Sequence, residues 1–212
     1  MDQLQTDHLK AYGVAYWVLQ QGENVDWLLN YRGGSFMVNQ DVNTVRTLKL
    51  RGVFYEYIDT EALTNIFALI EANNMDLILL EKMPKIAVYS PPDKQPWDDA
   101  VTLALTYAEI NYDVVFDDEV FNDQLKNYDW LHLHHEDFTG QYGKFYATFK
   151  NATWYKEQKK LFEQTATKLG FIKVSDEKLA VAKKIKEFII GGGFLFAMCS
   201  ATDSYDIALA AE

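Results

Sequence analysis

The sequence predicts an α/β domain, doubly wound around a mostly parallel sheet, and two observations carry that expectation. Short apolar runs recur at 85–89, 113–116, 130–134 and 194–198, and longer stretches with apolar residues at helical spacing lie between them. Short apolar runs rich in β-branched and aromatic residues read as buried parallel strands. Their alternation with helices implies a sheet covered on both faces, with right-handed crossovers.

In chain order, His8 to Gln20 predicts a helix with Leu9, Tyr12, Val14, Tyr16, Trp17 and Leu19 as its apolar residues, stopped near Gly22. Val25 to Leu29 predicts a strand ending at the Arg32–Ser35 loop, and Phe54 to Ile58 another. Thr60 to Ala72 predicts a helix, with Leu63, Ile66, Phe67 and Ile70 on one face. Lys85 to Tyr89 is the first of the cleaner strands, followed by an amphipathic helix over Asp98 to Ile110 and a strand over Asp113 to Phe116. Asp117 to Lys126 reads as an acidic, polar connection. Trp130 to His134 is a strand, and a glycine-bearing loop covers Phe138 to Gly143. Helices follow over Tyr155 to Leu169 and Glu177 to Ile190. Gly191, Gly192 and Gly193 then break the chain before a strand over Phe194 to Met198 and a helix over Asp203 to Ala211. No repeat or linker interrupts this order, so one domain is expected over residues 1–212.

Composition narrows the function. Nearly half of the 212 residues are hydrophobic (49%), enough for a packed core. Asp and Glu number 31 against 20 Lys and Arg, a formal charge of -11, which repels a phosphate backbone and argues against nucleic acid as a partner. No apolar run is long enough to span a bilayer, and Met1 to His8 show no signal peptide. A single cysteine, Cys199, makes no internal disulfide.

That cysteine follows the last strand and precedes the last helix, with Ala197 two residues before it and Ala201 two after. A nucleophile elbow has this layout, since small residues at those positions let a strained strand-to-helix turn close. A helix N-terminus aimed at the sulfur favours the thiolate, and the Ser200 amide would be one oxyanion donor. A cysteine buried at a strand end fits the same pattern. His132, His134 and His135 could suggest a metal, but no cysteine partner or Glu-x-x-His spacing completes a ligand set. They are polar residues where a strand leaves the sheet, or they line the Cys199 crevice with the Gly140 loop, which could hold substrate or supply a second oxyanion amide. Because ligands of such folds bind beyond the carboxyl ends of the strands, the loop after His135, the Arg32 loop and Cys199 are expected there. Arg32 to Ser35 could cradle an anion or be only a turn. The stretch Trp97-Asp98-Asp99 is expected to cap the helix that follows. Tyr142, Phe145, Tyr146, Phe149, Trp154 and Tyr155 are core, or else a sugar-binding or partner surface. The residues imply no cofactor and no metal.

Five stretches, His8–Gly13, Val25–Phe36, Trp97–Glu109, Trp130–Phe145 and Phe194–Asp203, together resemble a bacterial family labelled asparagine synthetase B. The most specific are HHEDF at 134–138 and AMCSAT at 197–202. Its members look like class I glutamine amidotransferase-like domains. The resemblance implies a flavodoxin-like sheet with a cysteine elbow, and amide hydrolysis or acyl transfer on a small-molecule substrate such as glutamine. With Cys199 as the elbow nucleophile, the nearest available bases are His134 and His135, which approach from the wrong side in the family geometry, and Ser200, Gly140, Glu136 and Arg32 are expected around substrate and oxyanion. The family label is not matched by its chemistry, because the chain begins Met1-Asp2 instead of with a nucleophilic cysteine and carries no Ser-Gly-Gly-type pyrophosphate loop.

Active class I amidotransferases use a histidine downstream of the cysteine, and none follows Cys199 here. Relatives of this type continue past the position of Glu212 and often carry an apolar leader. The expectation is therefore a domain incomplete at its C-terminus, inactive by itself and prone to homodimerise through an exposed apolar edge. The compartment is left open: this sequence alone reads as cytoplasmic, and a leader on the whole protein would place it in the cell envelope or outside. The competing reading is a non-catalytic module on the same fold that binds a small molecule or carbohydrate.

Overall fold

The computed structural model describes residues 4–92, 99–134, 143 and 145–211. Trp97, Asp98, His135, Glu136, Gly140 and Tyr142 lie outside the described residues. The chain divides into two compact units, Met1–Met83 with Ala104–Ile110, and Pro84–Leu103 with Asn111–Glu212.

The first unit contains α1 (His8–Gln20), β1 (Val25–Leu29), β2 (Ser35–Val38), α2 (Val42–Leu50), α3 (Thr60–Ala72) and β3 (Asp76–Leu80). Each helix starts on an aspartate whose side chain accepts from backbone amides: Asp7 from Lys10, Asp41 from Asn43 and Thr44, Asp59 from Ala62. Such caps satisfy amides that have no partner within the helix. The sheet runs β2-β1-β3 and is antiparallel throughout, with Trp27 opposite Phe36 on one side and Ile78 on the other. Val14, Val18, Leu19, Val25, Leu48 and Val53 form its core. Gly13 lets α1 approach the chain closely, because a Cβ there would lie 1.8 Å from the Ala108 carbonyl oxygen.

Two expectations fail in this unit. Phe54 to Ile58 forms no strand: β2 and β3 already flank β1, and Phe54, Tyr57 and Ile58 stay exposed while Tyr55 packs on the core. The Arg32 loop does not end a parallel strand. It joins β1 to β2 within the turn Asn30 to Gly34, and so short a connection permits only an antiparallel partner.

The second unit carries β4 (Ile86–Tyr89), β5 (Asp113–Val115), α5 (Asp117–Phe121), β6 (Trp130–Leu133), α6 (Tyr146–Phe149), α7 (Thr153–Lys168), α8 (Val174–Ile190), β7 (Phe194–Ala197) and α9 (Ser200–Ala210). Helix α4 (Ala100–Ala108) begins in this unit. The sheet runs β5-β4-β6-β7, and every pairing is parallel, as the four apolar runs predict. The register sets Val88 beside Val114 and His132, and His132 beside Phe196. One face packs Ala87, Tyr89, Leu131 and Leu133 against Phe162, Val181, Ile185, Ala201 and Tyr205. On the other, Trp130 and His132 meet the rings of Phe194 and Phe196.

The stretch read as a polar connection contains α5. Asp117, Asp118 and Glu119 occupy its first turn, where negative charge offsets the partial positive charge of the helix start. Gly193 closes the turn from α8 into β7 because a Cβ would fall 2.2 Å from the Phe188 ring. Among the described residues no helix is long and apolar enough to cross a membrane.

Candidate functional site

Cys199 stands two residues beyond the last β6–β7 pair, Leu133 with Ala197. Its backbone has φ 54° and ψ -135°, and α9 begins at Ser200. An L-residue rarely adopts such torsions, which cost on the order of 1–3 kcal/mol and persist only where the surroundings impose them. The surroundings here are a strand on one side and a helix on the other. Ala201 is fully buried beneath the turn, so a larger residue two after the cysteine would meet packed core. The Ala201 amide bonds the Met198 carbonyl at 3.2 Å, and the Thr202 amide bonds the Cys199 carbonyl at 3.2 Å. The thiol is exposed, which decides against the buried-cysteine reading.

The neighbouring strand β6 ends at Leu133, level with Ala197. The His134 amide extends the ladder to the Tyr89 carbonyl at 3.2 Å, and its side chain is buried. Cys199 and His134 thus follow neighbouring strands, β7 and β6, at the carboxyl edge of one sheet, with the cysteine exposed and the imidazole buried. His132 is fully buried and both ring nitrogens are engaged, Nδ1 with the Phe196 carbonyl and Nε2 with Asp99 Oδ2, each at 3.0 Å. The carbonyl only accepts, so Nδ1 carries a proton. Asp99 also caps α4 as expected, its Oδ1 accepting from the amides of Val101 and Thr102. His132 therefore ties the strand that leads to Cys199 to the start of α4. Among the described residues no group of three or more His, Cys, Asp or Glu could hold a metal ion.

Arg32 belongs to the first unit, has φ 50°, and its guanidinium is ion-paired with Glu56. His135, Glu136 and Gly140 lie outside the described residues. Ser200 opens α9.

Sequence reasoning missed a second polar group in the same unit. Tyr89, Asp117, Glu177 and Lys178 are all buried among apolar side chains. A signal for it existed: Glu177 and Lys178 occupy the face of α8 that also carries Val174, Val181, Ala182 and Ile185. Two adjacent charges on an apolar stripe are uncommon, because burying an ion is costly unless it is paired.

The described residues define an α/β protein with a four-stranded parallel sheet and an exposed cysteine on a strained strand-to-helix turn. Comparison with known protein families, with curated proteins and with solved structures finds no match to this chain.

Proposed function

We propose that this chain is a class I glutamine amidotransferase-like domain on a doubly wound, flavodoxin-like sheet, with Cys199 as nucleophile toward the carboxamide of a small substrate such as glutamine. The observation that carries the reading is the Cys199 backbone, held at φ 54° and ψ -135° between a parallel strand and a helix, with the thiol exposed. Such a turn lifts a nucleophile clear of its own backbone and aims it at the crevice beyond the carboxyl ends of the strands. The sulfur would attack the amide carbon, the Ser200 amide would receive the developing oxyanion, and ammonia would leave as a thioester forms.

That last step needs a base to take the thiol proton and return it to the leaving ammonia. Among the described histidines of the run, His132 is engaged at both nitrogens and His134 is buried. We therefore expect covalent capture without efficient turnover. The test is labelling with an electrophilic diazoketone analogue of glutamine, followed by mass mapping. The expected result is one adduct at Cys199, slowed by excess glutamine and absent in Cys199→Ala, with ammonia release near background. Labelling that glutamine does not slow, at the rate of the unfolded chain, would overturn the reading.

The same buried histidines favour a second reading, a module that binds a small molecule or carbohydrate without acting on it. Calorimetry would then show ligand binding unaffected by Cys199→Ala.

A further inference from the structure

The core of the second unit holds four polar groups that the cysteine chemistry does not use. The Lys178 ammonium donates to the Tyr89 hydroxyl at 3.0 Å and to Asp117 Oδ2, and that hydroxyl donates to Asp117 Oδ1. The rings of Phe116 and Phe162 each lie 4.6 Å from the ammonium nitrogen. Asp117 and Lys178 thus satisfy each other. Glu177 is left over. It is fully buried, its nearer oxygen is 3.9 Å from the ammonium, and neither of its carboxyl oxygens has a hydrogen-bond partner among the described residues. Two carboxyl groups share one cation in a dry core, where an unbalanced ion is far costlier than in water.

We propose that Glu177 is a proton-operated latch: its carboxyl stays protonated while the first turn of α8 is seated against α5, and its ionisation releases that turn. The groups around it act in opposite directions. On its own helix Lys178 favours the ionised form. From α5, Asp117 and Asp118 disfavour it, and Asp118 is itself paired with Lys168 at the end of α7. β4 contributes the Tyr89 hydroxyl, already committed to Asp117. The buried face of α7 carries Tyr155, Gln158 and Phe162. From α9 the buried titratable group is Tyr205, pushed up to about 12 by burial and so neutral at physiological pH, while Asp203 and Asp206 are exposed. The turn from Gln124 to Asn127 offers Lys126, which is exposed. Burial is the largest influence, partly offset by Lys178 and reinforced by Asp117, and together they raise the Glu177 carboxyl from 4.5 to about 8.

The folded group binds its proton more tightly than the released group, so the stabilisation is fully present below 4.5 and is lost as pH rises to about 8. Across that interval the opening equilibrium of the turn grows by up to about tenfold per pH unit, then levels off. Amide hydrogen exchange over residues 174–180, corrected for the intrinsic pH dependence of exchange, reads this directly. The expected result is that pH-dependent rise in the wild-type chain and a flat profile in Glu177→Gln. A flat wild-type profile, or the same slope in Glu177→Gln, would overturn the proposal. Should Glu177→Gln fail to fold, carbon NMR of the wild-type Glu177 carboxyl decides: a midpoint near 8 supports the latch, and one near 4.5 refutes it.

Discussion

Replacing Lys178 by Met should destabilise the second unit by about 3–5 kcal/mol, the usual cost of removing one partner from a buried ion pair. The methylene stem is largely replaced, so little packing is lost. What disappears is the ammonium that donates to both Asp117 and Tyr89 and lies between the Phe116 and Phe162 rings. Asp117, fully buried, loses its cation and is left with the Tyr89 hydroxyl, the start of a five-residue helix and the neighbouring Glu177 carboxyl. Removing both charges together is a different case, because well-packed neutral side chains commonly replace a buried pair at little net cost. The double variant Asp117→Asn with Lys178→Met should therefore lie well above the single one in stability. Urea unfolding followed by a signal from the second unit measures both. An unchanged midpoint for Lys178→Met, or a double variant less stable than the single one, would show that the pair carries no such energy.

Gly13→Ala should destabilise the first unit by roughly 2 kcal/mol or more, against the local trend. In a helix interior that exchange normally gains up to about 1 kcal/mol in propensity. Here the new methyl carbon would stand 1.8 Å from the Ala108 carbonyl oxygen, and the obstacle is backbone that no rotamer change can move aside. The chain segments must separate, and overpacking of this kind typically costs 1–3 kcal/mol, occasionally more. Ala11 to Gly, a second change on the same helix, is a control that loses propensity and one half-buried methyl but introduces no clash. A Gly13→Ala protein with an equal or higher unfolding midpoint would mean that this close approach does not exist in solution.

The sequence was sufficient wherever one local pattern had one solution. The parallel strands β4, β5, β6 and β7 were legible because apolar runs bounded by helices have few other uses. The helices His8–Gln20 and Thr60–Ala72 were legible because apolar residues recur there at helical spacing. The turn at Cys199 was legible because small residues two positions either side admit it and because a strand and a helix adjoin it.

Only the tertiary structure decided the rest. Phe54 to Ile58 has a strand's composition and lies along the core without a ladder, since β2 and β3 hold the places beside β1. Arg32 sits in a turn between antiparallel strands because so short a connection admits no parallel partner. His132 met Asp99 across 33 positions of sequence, and Lys178 met Tyr89 across 89. A spacing rule describes one helix or one strand. It carries no information about which distant side chain will share a dry interior, and that sharing is what sets the charge state of Glu177 and the tether on the strand that ends at Cys199.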